Sequence, residues 1–260
     1  IYIADRCNHR IVAWKKGAIS GEIVAGGNGR GNGNHQLNCP LKVIIDEMND
    51  SLIIADYGNK RVVRWPRRNG LSGQTIIKDV KCVDLIMGKN QYLYICDNEK
   101  HEVRLWKIGE NEGVLVAGGN GRGNHLNQLN KPQFIFVDQE DTLYISDFGN
   151  HRVMKWMKDA KEGIIIAGGQ GPGAGLKQLC GPEGIFVDKL STLYVADAGN
   201  NRIVRWIKGA NEGSIIAGGN NGGIEPNQLS GPIGLSFDDE NNLYIVDCGN
   251  NRIQKFVVDN

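Results

Sequence analysis

Residues 193–206 read LYVADAGNNRIVRW, which is two short β-rich runs on either side of a glycine–asparagine turn. The first run ends in aspartate, and closely similar runs recur through the whole chain. The intervals between the terminal aspartates are 51, 41, 50, 50 and 50 residues. Self-similarity at such a period is typical of repeat architectures, so six copies of one unit make up the chain. These aspartates are Asp5, Asp56, Asp97, Asp147, Asp197 and Asp247.

One unit, 182–219, contains four β-rich runs separated by turn residues, and we label the strands they predict a, b, c and d. No window of a dozen residues has a helical period. A single antiparallel sheet of this size cannot bury both faces, but sheets repeated around an axis can. The sequence therefore predicts an all-β, six-bladed β-propeller of four-stranded antiparallel blades, in one domain over 1–260. A solenoid is the weaker alternative because parallel β-helix repeats are much shorter. The units lie around 1–27, 40–80, 82–119, 132–169, 182–219 and 232–260.

Composition limits the function classes. The formal net charge is +1, which argues against a strongly basic nucleic-acid binder. No apolar run approaches the roughly 20 residues of a membrane-spanning helix, so no membrane insertion is expected. Glycine is frequent, at 36 of 260 residues, which indicates many tight turns.

The repeated pattern Leu-Tyr-Val/Ile-x-Asp-x-Gly-Asn-x-Arg-Ile/Val-x-x-Trp resembles the NHL repeat, which is named for its Asn-His-Leu core. The resemblance covers nearly the whole chain, and the unit around Asp97 departs from it by lacking the Gly-Asn turn. It implies a six-bladed propeller that acts as a recognition module, often within a larger chain. The cores here are Asn8-His9-Arg10, Asn59-Lys60-Arg61, Asn150-His151-Arg152, Asn200-Asn201-Arg202 and Asn250-Asn251-Arg252.

Residues present in nearly every unit are expected to be architectural. Four of the repeated aspartates, Asp56, Asp147, Asp197 and Asp247, are each predicted to form an ion pair with the arginine five residues on. The glycines of four b–c turns, such as Gly199, and the asparagines that follow them are expected to accept a positive φ. The tryptophans at the end of strand c are predicted to pack between blades. The glycine-rich connections 25–31 and 117–123 precede no helix, so they are interpreted as crossings between blades and not as phosphate-binding loops.

An antiparallel blade places its b–c turns and d–a crossings at one end. All five histidines, several cations and two aromatic residues fall there in the sequence. Because binding residues gather on loops held by a rigid scaffold, this end is the candidate binding surface. The candidate ligand-binding residues are Arg30, His35, Tyr57, Lys60, Lys100, His101, Arg122, His125, Lys131, Phe148 and His151.

The predicted function is therefore a non-catalytic recognition module for a protein, peptide or glycan. One alternative is single-stranded RNA binding at the same end, by analogy with tripartite-motif NHL proteins. Another is a metal-dependent lyase or hydrolase with a site at the central channel, where zinc or calcium would be the cofactor. Asp46, Asp138, Asp188 and Asp238 could ring that channel, or could cap the a–b turns. No catalytic residue, metal ligand or cofactor is otherwise predicted, because the histidines lack zinc-motif spacing and no serine elbow is present.

The first unit begins at strand b and the last ends after strand c, so the sequence predicts 22 strands where six full blades need 24. We expect residues upstream of Ile1 to supply the two others; a seven-bladed or open ring is the alternative. Cys7 and Cys248 lie in the b–c turns of the first and last units, and a disulfide between them is left open.

Overall fold

The computed structural model of the protein describes residues 1–110 and 112–257. Over these residues the chain forms 22 strands and short 3-10 turns, with no α-helix. The strands make six antiparallel sheets, four of them four-stranded and two three-stranded. The all-β, six-bladed propeller is therefore confirmed. Among the described residues, no helix has the length and apolar character needed to cross a bilayer.

The chain forms two compact units, Ile1–Val116 and Ala117–Asn260. The first unit contains three sheets, which we call blades 1 to 3; the last strand of blade 3 extends two residues past the boundary. Blade 1 has β1 (Tyr2–Asp5), β2 (Arg10–Ala13) and β3 (Glu22–Gly26). Blade 2 has β4 (Lys42–Asp46), β5 (Ser51–Asp56), β6 (Arg61–Pro66) and β7 (Gln74–Lys78). Blade 3 has β8 (Cys82–Met87), β9 (Tyr92–Asp97), β10 (Glu102–Lys107) and β11 (Val114–Gly118).

The second unit contains blades 4 to 6. Blade 4 has β12 (Ile135–Val137), β13 (Leu143–Asp147), β14 (Arg152–Trp156) and β15 (Ile164–Gly168). Blade 5 has β16 (Pro182–Val187), β17 (Leu193–Asp197), β18 (Arg202–Trp206) and β19 (Ser214–Gly218). Blade 6 has β20 (Pro232–Phe237), β21 (Asn242–Asp247) and β22 (Arg252–Val257). Whether the two units act as one domain stays a prediction.

Each four-stranded blade has the predicted order a, b, c, d, while blade 1 has b, c, d and blade 6 has a, b, c. The b–c register is the same in every blade and pairs the repeated aspartate with the first residue of strand c, as in Asp197 with Arg202. Strands c and d shift register at a bulge, for example between Ile203 and Val204. The bulge increases the local twist of the outer half of the blade.

Within each unit the core lies between successive blades. Trp65, Trp106, Trp156 and Trp206 are at most 8% exposed, as predicted for packing between blades, whereas Trp14 is 39% exposed. Segments that we call the crossing segments connect strand d of one blade to strand a of the next at 27–38, 119–130, 169–180 and 219–230. Each carries one fully buried leucine. These leucines are Leu37, Leu129, Leu179 and Leu229.

The glycines of the b–c turns do not have the predicted positive φ. The left-handed residue follows the Gly-Asn pair and is non-glycine, for example His151 (φ 53°) and Asn201 (φ 52°). The glycine is required for a different reason, which is close approach. A Cβ on Gly199 would lie 2.6 Å from the sulfur of Cys180, because the Gly199 N–H donates to the Cys180 carbonyl at 2.9 Å. The turns contain 3-10 residues Arg6–Asn8, Tyr57–Asn59, Phe148–Asn150, Ala198–Asn200 and Cys248–Asn250, and a further 3-10 turn, Lys89–Gln91, precedes β9.

The outer strands present apolar side chains to solvent. Strands β11, β15 and β19 each lie at the edge of a sheet. Ile164 is 54% exposed and Val114 is 69% exposed. The six cysteines are free thiols, with Cys7 and Cys248 exposed and Cys82 and Cys96 buried.

Candidate functional site

Within each unit the b–c turns and the crossing segments lie at the same end of the strands, which we call the crossing end. The a–b and c–d turns lie at the other, the hairpin end. This sorting follows from the antiparallel order of the sheets. A crossing segment is fastened to the blade that follows it, as shown by the bond from the Gly58 N–H to the Asn38 carbonyl at 2.8 Å.

The repeated aspartate and arginine form the frame of the crossing end. The Arg61 Nε donates to the Asp56 carboxylate at 2.7 Å, and the pair is buried. The rest of the guanidinium donates to carbonyl oxygens of the crossing segment, those of Asn32, Gly33 and Gln36, at 3.0–3.2 Å. The structural interpretation of these arginines is therefore right, since their donors are used inside the fold. Equivalent ion pairs join Arg10 to Asp5, Arg152 to Asp147, Arg202 to Asp197 and Arg252 to Asp247.

The left-handed residue of the b–c turn connects one blade to the next. The His151 Nδ1 accepts the backbone N–H of Gly181, thirty residues on, at 3.0 Å. His9 does the same for Cys39 at 3.1 Å, and the Asn201 Oδ1 for Gly231 at 2.8 Å. Two of the five histidines are therefore structural acceptors. An identical spacing of 30 residues from histidine or asparagine to the start of the next strand a is the sequence signal for this role.

In the first compact unit, Ile1–Val116, all six candidate residues lie at the crossing end. Arg30, His35, Lys60 and Lys100 are exposed, and Tyr57 and His101 are half-buried. Arg30 belongs to the crossing segment, where its backbone pairs with Leu37. Lys60 and His101 are the left-handed residues of their turns, with φ 51° and 57°.

In the second unit the five candidates also lie at the crossing end. Arg122, His125 and Lys131 are exposed, while Phe148 and His151 are half-buried. The His125 carbonyl accepts from Arg152 at 3.1 Å, so only its imidazole is left for a ligand. His151 is committed to Gly181, as described above. Arg122 and Lys131 are therefore the cationic candidates of this unit.

The structure adds a cluster that sequence reasoning missed. The Lys81 Nζ lies 4.6 Å from the ring centre of Tyr57 and 3.0 Å from the Glu99 carboxylate. The hydrogen bond to Glu99 raises the pKa of Lys81, and the same bond lowers the pKa of Glu99. Lys81 holds the position occupied by Cys39, Lys131, Gly181 and Gly231 in other blades. A lysine at this position, shared with Lys131, is the signal that the sequence offered.

Glu183 is a second residue that the sequence analysis did not identify. It lies on β16, the strand a of blade 5, and burial raises its pKa to about 8. No hydrogen bond or ion pair to this carboxylate occurs among the described residues. Isoleucine holds the equivalent position in blade 6, at Ile233. A carboxyl group with a raised pKa is a functional candidate and also a source of pH-dependent stability.

The aspartates that end strand a cap the a–b turns. The Asp188 Oδ1 accepts the backbone N–H groups of Leu190 and Thr192, each at 2.8 Å. Asp138 and Asp238 make the same pairs of bonds. Over residues 1–110 and 112–257, no three His, Cys, Asp or Glu side chains are arranged to hold a metal ion.

The comparisons with known proteins begin with a family model. The model of the NHL repeat matches residues 229–256, which run from Leu229 of the last crossing segment through most of β22. The chain carries an NHL repeat. A comparison of the chain with curated proteins finds no significant match.

Solved structures similar to the chain share its fold at low identity. An auxiliary nutrient binding protein from Bacteroides thetaiotaomicron VPI-5482 matches at 18% identity and a TM-score of 0.73, over 98% of this chain and 65% of that one. A nidogen/laminin complex matches at 15% identity and 0.70, over 96% and 87%. A gluconolactonase from Xanthomonas campestris matches at 16% and 0.62, over 84% and 75%. The chain spans about two thirds of the length of the Bacteroides relatives that it matches.

Proposed function

We propose that the protein is a non-catalytic recognition module that binds a protein, peptide or glycan through the crossing ends of its blades. The observation that carries this proposal is that structural residues and variable exposed residues occupy different positions at the crossing end. Repeated residues hold the frame, while the exposed positions change chemistry from one copy to the next. The residue that pairs with the buried leucine of the crossing segment is Arg30, Arg122 or Pro172.

Charge at these variable positions supports a ligand with anionic or hydrogen-bond-accepting groups. Arg30 and Arg122 are exposed, and neither forms a salt bridge among the described residues. An exposed guanidinium without an intramolecular partner keeps its five donors for a carboxylate, sulfate or sugar hydroxyl. The nutrient binding proteins and the nidogen/laminin complex show that related propellers occur in proteins described by what they bind.

Blade 4 offers a matched pair of variants for the test. Arg122 lies at its crossing end, and Lys161 is an exposed cation in the c–d turn at its hairpin end. Arrays of defined glycans and of overlapping peptides are probed with the whole chain carrying either change. We expect Arg122→Glu to weaken binding of the selected ligand about tenfold, or ~1.4 kcal/mol, and Lys161→Glu to leave it unchanged. Equal sensitivity to both changes, or no ligand on either array, would contradict the proposal.

A further inference from the structure

Blade 3 is the only blade after the first, among the described residues, that no crossing segment precedes. The interval from Asp56 to Asp97 is 41 residues, and Lys78 at the end of β7 is followed by Cys82 at the start of β8 after only three residues. In blades 2, 4, 5 and 6 a crossing segment fills the space beside strand c. In blade 3 the same space is a cleft of about 770 Å³ between β7 and β10, within the first unit. Its volume is in the range of ligand-binding pockets, about 300–1,000 Å³.

Two buried N–H donors in this cleft lack the acceptors that the equivalent donors have in other blades, which are a crossing-segment carbonyl for the glycine before strand d and a c–d turn carbonyl for the tryptophan. The glycine before strand d donates to a crossing-segment carbonyl in other blades, from Gly73 to Asn34 at 2.7 Å and from Gly213 to Leu176 at 2.8 Å. Its counterpart Gly113 is buried and lines the cleft, and no backbone carbonyl of a described residue accepts its N–H. The Nε1 of Trp106, a side chain 8% exposed, also has no acceptor. A buried donor without an acceptor is destabilising, so both donors favour an incoming carbonyl.

The floor and the charges of the cleft define what could enter. Ile77, Val80 and Ile95 are at most 5% exposed and form an apolar floor beneath it. Glu102 replaces the arginine of the other blades, and it is buried and paired with Arg104 at 2.6 Å. The lining has more carboxylates than cations: Asp79, Asp97, Glu102, Glu110 and Glu112 against Lys78, Lys100 and Arg104.

We propose that the β7–β10 cleft binds a cationic, leucine-containing peptide segment supplied by a partner, in the place that the crossing segments occupy in other blades. The peptide's backbone carbonyls accept from Gly113 and Trp106, and its leucine packs on the apolar floor. Its positive charge faces the carboxylates of the rim. The cleft shares Lys100 with the candidate crossing-end residues, but the proposal rests on the space between β7 and β10 and not on the function proposed above.

The chain's own crossing segments provide the probe. A labelled synthetic peptide with the sequence of residues 119–130, GNGRGNHLNQLN, carries an arginine, a histidine and the fully buried leucine of that segment. Fluorescence anisotropy with the whole 260-residue protein is expected to show saturable binding. We expect binding to be lost when the peptide carries Leu129→Asp, and weakened when it carries Arg122→Glu.

Matched protein variants locate the site. Trp106→Phe removes the free donor but keeps most of the ring, and is expected to weaken binding about fivefold to tenfold. Trp156→Phe changes the equivalent tryptophan of blade 4, where the probe's own sequence already resides, and is expected to leave binding unchanged. If Trp156→Phe weakens binding and Trp106→Phe does not, the peptide is exchanging with the native segment and the proposal is overturned.

A substitution at an exposed residue on the rim of the cleft tests the site without disturbing the core. Glu112 and Glu212 hold the same exposed position before strand d in blades 3 and 5. We expect Glu112→Lys to weaken binding of the cationic peptide and Glu212→Lys to leave it unchanged, with equal melting temperatures. No binding by the wild-type protein, or doubling of its mass in sedimentation so that a second copy fills the cleft, would contradict the proposal.

Discussion

At the scale of single residues, the position five residues after the repeated aspartate holds a structural arginine in most repeats and a different residue in one. Arg202 shows the architectural case, because its side chain is 4% exposed and every nitrogen donates, to Asp197 or to carbonyls of the crossing segment. Glu102 at the equivalent place in blade 3 shows the departure. A buried arginine whose donors are all used contributes little to recognition, so binding must be sought at the departures.

Removing a buried arginine is expected to destabilise the protein strongly. Arg202→Leu leaves the fully buried Asp197 without its ion pair, and breaking such a pair costs about 3–5 kcal/mol. Arg252→Leu should cost less, because the Arg252 side chain is 30% exposed and Gln254 also donates to its partner Asp247. Urea unfolding of both variants measures the difference. A smaller loss for Arg202→Leu than for Arg252→Leu would be inconsistent with the frame described above.

Glu183 predicts a pH dependence of stability. Its pKa of about 8 in the folded state exceeds the value of ~4.3 for an unfolded chain, so the folded state retains a proton that the unfolded state releases. Stability from this group is therefore full below pH ~4, falls as the pH rises, and is lost above pH ~8. Glu183→Gln should raise the melting temperature at about pH 9 but not at about pH 4. The exposed Glu162→Gln is the control, and an equal rise for both variants would show that burial of Glu183 is not the cause.

At the scale of elements, the b–c turn is a connector as well as a hairpin. Its left-handed residue accepts a backbone N–H from the start of the next blade, and histidine and asparagine perform this task interchangeably in different copies. Both residue types tolerate positive φ better than most. The turn therefore sets the spacing between neighbouring blades through one side-chain acceptor.

This role of the turn can be tested at His151. His151→Asn should keep the bond to Gly181 and change stability by less than about 0.5 kcal/mol, as ordinary surface changes do. His151→Ala should cost about 1–3 kcal/mol because the buried Gly181 N–H loses its acceptor. His125→Ala, at an exposed imidazole in the same unit, is the control. Equal melting temperatures for His151→Ala and His125→Ala would contradict the role.

The sequence predicted the elements well because the repeat samples each of them several times. The strands, the Asp–Arg pairs and the buried tryptophans are all set by local pattern, and the structure contains them. The positive φ was assigned to Gly199 instead of Asn201, because sequence shows which residues tolerate that conformation but not which one is crowded by Cys180. The raised pKa of Glu183 depends on burial by neighbouring strands, which a one-dimensional pattern does not encode.

At the scale of the whole molecule, blades 1 to 5 each have strand d at the edge of the sheet, with side chains exposed to solvent. These strands offer unpaired backbone groups beside exposed isoleucine, valine and leucine side chains. Exposed apolar edge strands are templates for pairing with another chain. The candidate residues are sorted to one end of the strands in each unit, whereas this self-association hazard lies along the outer edges.

A charge on one outer strand should reduce self-association. Ile164 on β15 lies opposite Lys155, so Ile164→Glu creates an opposite-charge cross-strand pair on an exposed edge. We expect slower growth of light scattering on heating than for the wild type, with little loss of folded stability. Ile164→Val keeps the edge apolar and should aggregate as the wild type does. Faster aggregation of Ile164→Glu would show that this edge is not the contact.

The short link between Lys78 and Cys82 has a consequence for protein engineering. Because β7 and β8 keep their places in blades 2 and 3 although the intervening chain is brief, the fold accepts connections of very different length at this point. A foreign epitope or a reporter loop inserted after Asp79 could occupy the existing cleft beside β10. The short connection between β7 and β8 is therefore a suitable position for inserting a foreign sequence.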